Sequence, residues 1–304
     1  MGKTAVFGSF VVDLMARSPH LPVPKETVKG SMFRMGPGGK GFNQCVAAHK
    51  AGADVIMMTK LGRDTFANVA LDTMTELGMP KDHLFYSDET GTGIALILVD
   101  EGTSENEIII VPGACGTITA AEVESVESVI KDCEYVLLQL EINQDANEMV
   151  AELCRKHGVK MIVNTAPYSP VSDAFLSKAW MVTPNEIEAE ELTGVKVTDL
   201  DSAKAAAQVF YKKGVQKVII TLGGKGVFVS SDGREEIVPA NHVQVVDTTG
   251  AGDAFNGGLL CALAEGKDIW EATRFAQALA ALSVQKIGTT PSMPTRAEID
   301  AFLK

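Results

Sequence analysis

The feature that most constrains this chain is an alternation that runs through most of its 304 residues: short apolar runs separated by segments with helical periodicity. The runs lie at 5–9, 55–61, 135–140, 160–164, 180–182 and 218–222, and most lack a polar alternate face. A strand that is apolar on both sides must be covered on both sides, as in a parallel sheet flanked by helices. Between the runs, Ala146, Met149, Val150 and Leu153 repeat at helical spacing before Gly158. Ala203, Ala206, Ala207 and Phe210 do the same before Gly214, and a glycine is a common helix stop. Thr119 with Glu122, and Thr295 with Glu298, have the spacing of a capping box at a helix start. The pattern predicts an open α/β sheet with ligands beyond the carboxyl ends of its strands.

Two segments break this rhythm. Residues 93–99 and 105–111 flank the polar stretch 100–104 and predict a β-hairpin. Residues 11–35 carry Pro19, Pro22 and Pro24 and show no helical pattern. Together they predict a small β-layer that needs the main domain or a second chain to pack on. The formal net charge of -12 argues against nucleic-acid binding, which needs a basic face. It does not exclude a nucleotide substrate, because a small anion responds to local N–H donors. The five cysteines are scattered and form no C-x-x-C pair, as expected of reduced thiols packed in a cytoplasmic protein. No apolar run approaches the roughly 20 residues that span a bilayer, so no membrane association is expected. The N-terminus has no signal-peptide pattern.

The most informative motif is Asp247-Thr248-Thr249-Gly250-Ala251-Gly252-Asp253-Ala254-Phe255. A strand-like run (243–246) precedes it, and a helical pattern follows to about residue 265. Gly250, Ala251 and Gly252 would then present unpaired N–H groups at a helix N-terminus, where the dipole also favours an anion. Asp253, in the first turn, is placed to take a proton from a hydroxyl while those amides hold phosphoryl oxygens. A tight turn with a helix-dipole carboxylate is the plainer alternative, weakened by the strand-before, helix-after context.

Other motifs are less specific. In Gly36-Pro37-Gly38-Gly39-Lys40-Gly41-Phe42-Asn43-Gln44 the glycines by themselves read as a flexible turn, their position also fits a hinge or a substrate contact, and Asn43 can both donate to and accept from sugar hydroxyls. Thr221-Leu222-Gly223-Gly224-Lys225-Gly226 ends a strand where a nucleotide can rest, or simply forms a turn. Asn185 and Glu188 stand at a strand-to-helix junction, suited either to orienting a hydrated Mg²⁺ or to capping the helix. Glu141 follows a buried strand and suits either hydroxyl binding or a solvated loop.

In order and spacing these motifs resemble the ribokinase branch of the PfkB carbohydrate kinases over essentially the whole chain. The resemblance implies a mainly parallel sheet between helices (residues 1–8, 38–92 and 112–304) with a β-sheet lid (9–37 and 93–111) that serves as a homodimer interface. It implies transfer of the ATP γ-phosphoryl group to a primary hydroxyl of a small sugar, with ribose to ribose 5-phosphate as the leading case. Another sugar such as deoxyribose or a ketohexose, or a nucleoside, is the alternative within the family, and a non-catalytic sensor lies outside it. By position, Asp253 is the base and Gly250–Gly252 the anion hole. Asp13, Gly39, Lys40, Asn43 and Glu141 match sugar contacts. Asn185, Thr221, Gly223, Gly226 and Gly252 match ATP contacts, and Glu188 matches a Mg²⁺-linked acid. Asp247, Thr249, Ser283, Lys286, Gly288 and Ser292 match an activating K⁺ site. Two positions depart from the pattern: Val11 stands where the family usually has a sugar-binding Asn, and Phe42 where it often has Ala. Such changes alter the choice among hydroxylated ligands.

Overall fold

Two sheets organise the chain in a computed structural model that describes residues 2–103 and 105–304. In chain order the strands begin with β1 (Thr4–Phe7), β2 (Val11–Ser18), β3 (Met32–Gly38), β4 (Val55–Gly62), β5 (Leu84–Ser87), β6 (Thr92–Asp100) and β7 (Asn106–Gly113). They continue with β8 (Tyr135–Leu138), β9 (Lys160–Val163), β10 (Met181–Val182), β11 (Lys217–Thr221), β12 (Val227–Ser231) and β13 (Arg234–Val238). The larger sheet has nine strands in the order β13-β12-β11-β10-β9-β8-β1-β4-β5. From β11 to β5 the pairings are parallel, and β12 and β13 add an antiparallel edge. β1, β8 and most of β9 are fully buried, as their unbroken apolar sequences require. The chain builds outward from β1 to β4 and β5, then returns to β1's other side with β8 and continues to β11. That reversal opens a crevice at the carboxyl ends of β1 and β8.

The smaller sheet has the order β3-β2-β6-β7. The hairpin expected at 93–111 is present, and its turn is closed by Asp100 Oδ1, which accepts from the N–H groups of Gly102 and Thr103. Ser104 of the expected turn lies outside the described residues. Strand alternation puts Val11, Asp13, Met15 and Arg17 on one face of β2.

The strand expected at 243–246 does not form. β13 is the last strand on that side of the sheet, so the β-branched run has no neighbour to complete a ladder. Instead the N–H groups of Val246 and Asp247 both donate to Val284 O, and Val245 and Val246 remain exposed. The expected helix after the motif does form, at Ala251–Ala264, and it packs against helix Lys40–Lys50. The capping boxes at Thr119 and Thr295 are both made, and Gly158 ends its helix in the left-handed conformation.

Candidate active site

At the head of helix Ala251–Ala264, Gly250 takes φ 77°, a conformation that turns the chain sharply into the first turn. The Ala251 N–H donates back to Thr248 O, closing that turn. This corrects one expectation: Ala251 does not offer a free donor here. Among the described residues the N–H groups of Gly252 and Asp253 are left open at the positive end of the helix.

Asp253 is 7% exposed, and both its oxygens are held. Asn43 Nδ2 donates to Oδ2 at 3.1 Å and Gln44 Nε2 donates to Oδ1 at 2.9 Å. Burial pushes the Asp253 carboxyl above its ordinary value, while Lys40 and the two amides pull it back. Lys40 responds in kind: burial lowers its pKa, but Asp253, Glu141 and Glu188 outweigh that and raise it. Its ammonium therefore stays charged.

Glu141 is held beside the start of helix Lys40–Lys50. Its Oε2 accepts from the Lys40 N–H at 2.8 Å and from the Ser9 hydroxyl. Asp13, on the inward face of β2, is pushed up to about 7 by burial and by the charges of Glu141 and Asp253. Asp13, Lys40, Asn43, Glu141 and Asp253 thus converge on the crevice, and Gly39 precedes the helix that carries two of them. Val11 shares Asp13's face and is 2% exposed, yet it lies outside the contiguous apolar core.

Two adjoining cavities meet at the start of helix Ala251–Ala264. One, of about 210 Å³, is lined by Lys40, Asn164, Asn185, Glu188, Gly252 and Asp253. The other, of about 390 Å³, is lined by Thr221, Gly223, Gly226, His242, Val245 and Phe255, among others. Thr221, Thr248, Ala251 and Gly252 belong to both, so the larger cavity adjoins the smaller one, which Asp253 lines. The size suits a nucleotide. The irregular segment that replaces the expected strand supplies part of this wall.

Asn185 and Glu188 perform the capping role left open by the sequence. The Asn185 Oδ1 accepts from the Glu188 N–H at 2.8 Å, and Glu188 Oε2 accepts from the Asn185 N–H at 3.1 Å. Glu188 also accepts from Thr165 Oγ1 and still lines the smaller cavity. No group of three or more His, Cys, Asp or Glu side chains that could hold a metal occurs among the described residues. A carboxylate already so engaged fits contact with the waters of a phosphate-bound Mg²⁺ rather than a protein cage.

Of the proposed K⁺ positions, Asp247 ties two loops together. Its Oδ1 accepts from the Thr249 N–H and its Oδ2 from the Gly288 N–H, each at 2.9 Å. Burial would raise the Asp247 pKa, but these bonds hold it below its usual value. Ser292 Oγ donates to Thr289 O and Ser283 Oγ to Ala280 O. The Lys286 ammonium pairs with Glu298, so only its backbone is available to an ion.

Gln44, Asn164, Thr183, Asn256 and Thr290 join the site without having been assigned roles from sequence. Asn164 and Thr183 directly follow β9 and β10, so their strand-end positions were the available signal. Asn256 and Thr290 carried none. All five cysteines are buried and unpaired with one another, and burial raises the pKa of each thiol. Among the described residues no helix is long and apolar enough to cross a membrane.

Comparison with known proteins agrees with this geometry. Residues 1–296 match the model of the pfkB family carbohydrate kinases. The chain is 42% identical to a ribokinase of Haemophilus influenzae, covering 100% of this chain and 99% of that one. It is 35% identical to a deoxyribokinase of Salmonella typhi, over 98% of each. An Arabidopsis thaliana ribokinase solved with ribose and ATP superposes with a TM-score of 0.92 at 30% identity, covering 100% of this chain and 99% of that one. The chain therefore belongs to the pfkB family of carbohydrate kinases, with the ribokinase fold, and is an ATP-dependent phosphotransferase acting on a sugar hydroxyl.

Proposed function

We propose that the enzyme phosphorylates ribose on its primary hydroxyl, with Asp253 as the base. The observation that carries this reading is one buried carboxylate lining the smaller cavity, beside two open helix-start N–H groups at the junction with the larger cavity. Asp253 takes the proton as the sugar oxygen attacks phosphorus, and the N–H groups of Gly252 and Asp253 receive the negative oxygens of the phosphoryl group. Lys40 stabilises the same charge. The sheet β3-β2-β6-β7 acts as a lid that brings Asp13 onto the sugar and excludes water, a competing acceptor. Bound Mg²⁺ would shield the ATP phosphates, with Asn185 and Glu188 orienting its waters. K⁺ would sit between the loops joined by Asp247, using oxygens from Asp247, Thr249, Ser283, Lys286, Gly288 and Ser292, and would hold the anion-hole turn in place. Buried, reduced thiols are in keeping with a cytoplasmic setting.

A coupled ADP-release screen over pentoses, hexoses, sugar phosphates and nucleosides, run with and without K⁺, tests the assignment. Ribose is expected to give the highest kcat/KM, raised by K⁺. A higher value for a hexose or nucleoside would overturn the substrate, and indifference to K⁺ would overturn the ion site.

Deoxyribose is the second reading, and Val11 favours it. A buried valine beside Asp13 offers no partner to a sugar hydroxyl. Val11→Asn is expected to raise kcat/KM for ribose over 2-deoxyribose by about tenfold, the worth of one hydrogen bond. An unchanged ratio would remove Val11 from the specificity argument.

The lid's outer face supports a homodimer. Cross-strand register aligns Met35, Leu14, Leu96 and Ile109 in one row, with Phe33 and Val111 beside it. Phe33 and Ile109 are 66% and 63% exposed, and isolated apolar faces of this kind are rare on monomers. Sedimentation is expected to give a dimer mass for the protein and a monomer mass for Ile109→Asp. A monomer in both cases would exclude this interface.

A further inference from the structure

The polar groups beneath Asp253 form a closed circuit that phosphoryl transfer does not by itself require. Gln44 Nε2 donates to Asp253 Oδ1 and to Asn164 Oδ1, both at 2.9 Å. Asn164 Nδ2 donates to Thr183 O at 3.0 Å, and Thr183 Oγ1 donates to Asn256 Oδ1 at 2.6 Å. Asn256 Nδ2 then donates to Gly252 O at 2.8 Å, one residue from the starting carboxylate. Every side chain in the ring is at most 7% exposed, and Gln44 is fully buried.

The ring sets the orientation of its central amide. Asn164 uses its nitrogen on Thr183 O, so its oxygen must face Gln44. A flipped Gln44 would point its own oxygen at that acceptor and at Asp253. Gln139 locks the same orientation from behind by donating to Gln44 Oε1 at 2.7 Å. In doing so Gln139 leaves its own buried oxygen without a partner among the described residues, an expensive arrangement for a purely structural contact. Asn147 Nδ2 anchors the Gln139 carbonyl to the helix Gln144–His157.

We propose that Gln44 is a positioning residue: it aims the Asp253 carboxylate at the acceptor hydroxyl and ties it rigidly to the anion-hole turn. The proposal rests on Asp253 being the base. Gln44 donates both its hydrogens to oxygen acceptors, so the carboxylate keeps its outward lone pairs for the incoming hydroxyl. Its N–H also favours the ionised carboxylate over the protonated one. A base must be unprotonated, so activity falls as pH drops through its pKa. Removing the donor raises that pKa and moves the acid limb upward.

Gln44→Met keeps the volume and removes both donors. It is expected to lower kcat by about 10–100-fold, the usual worth of a hydrogen bond to a charged group. The acid limb of its kcat profile is expected to move up by about one pH unit, with sugar affinity in the absence of ATP changed less than about threefold. Gln139→Met keeps the donors but frees the amide to flip, and it is expected to shift the limb in the same direction by less. A Gln44→Met acid limb that coincides with the wild-type limb would overturn the proposal, as would a loss confined to sugar affinity. Failure of the base assignment has a separate signature: Asp253→Asn would then retain turnover, whatever Gln44→Met does.

Discussion

Replacing Asp253 by Asn is expected to lower kcat by about 10²–10⁴-fold, the range of general-base catalysis, with a much smaller change in sugar KM. The substitution keeps the side-chain shape in a site that is 7% exposed, so packing is conserved. It removes the proton acceptor. It also forces a donor–donor contact, because Asn43 Nδ2 and Gln44 Nε2 both point at the side chain and an amide has only one oxygen. Burial holds the wild-type carboxyl above its ordinary value, which strengthens it as a base but narrows the pH range in which it is ionised. The loss should therefore fall on turnover, and single-turnover measurements of phosphoryl transfer with saturating sugar and ATP check it. Turnover near the wild-type level would reject Asp253 as the base.

The second large effect lies one helical turn further on. Gly257→Val is expected to destabilise the fold by about 1–3 kcal/mol through overpacking and to reduce kcat by about 10²-fold through misplacement of reacting groups. A Cβ at Gly257 would lie 2.5 Å from Gln44 O and from the Ala47 Cβ, and 2.8 Å from Ala48 N. Two of these atoms are backbone, so no side-chain rotation relieves the clash. Helices Lys40–Lys50 and Ala251–Ala264 must separate, and these helices carry Asn43 and Gln44 on one side and Asp253 on the other. Thermal melting and kcat measured on the same sample check the two parts together. A stable Gly257→Val with normal turnover would mean that the crossing does not set the position of Asp253.

The two effects bear on how much of the site was legible in the sequence. Asp253 and the glycines before it were legible because a helix start is a local event, set by residues adjacent in the chain. The capping pair Asn185 and Glu188 was legible for the same reason, although its two possible roles were not separable without the cavity beside it. The strand expected at 243–246 failed because β-branched residues favour an extended chain only where a neighbouring strand exists, and the sheet ends at β13. That Ala251 is not a free donor could not be read from its neighbours, because its turn partner, Thr248 O, depends on the φ adopted by Gly250. Gln44 stands inside a motif, but its partners Asn164, Asp253 and Gln139 are brought to it only by the assembled sheet and helices.

The sequence by itself therefore determined the elements and their ends: apolar runs that must be covered on both faces, capping boxes, and glycines that stop or start helices. These depend on interactions within a few residues, which the order of side chains fully specifies. Tertiary structure alone decided the environment of Asp253. The bonds that hold Asp253 come from residues more than 200 positions away in the chain, through a helix crossing that only a glycine permits. Hydrogen bonding and burial act through space, and no spacing along a chain encodes which distant amides will meet one carboxylate.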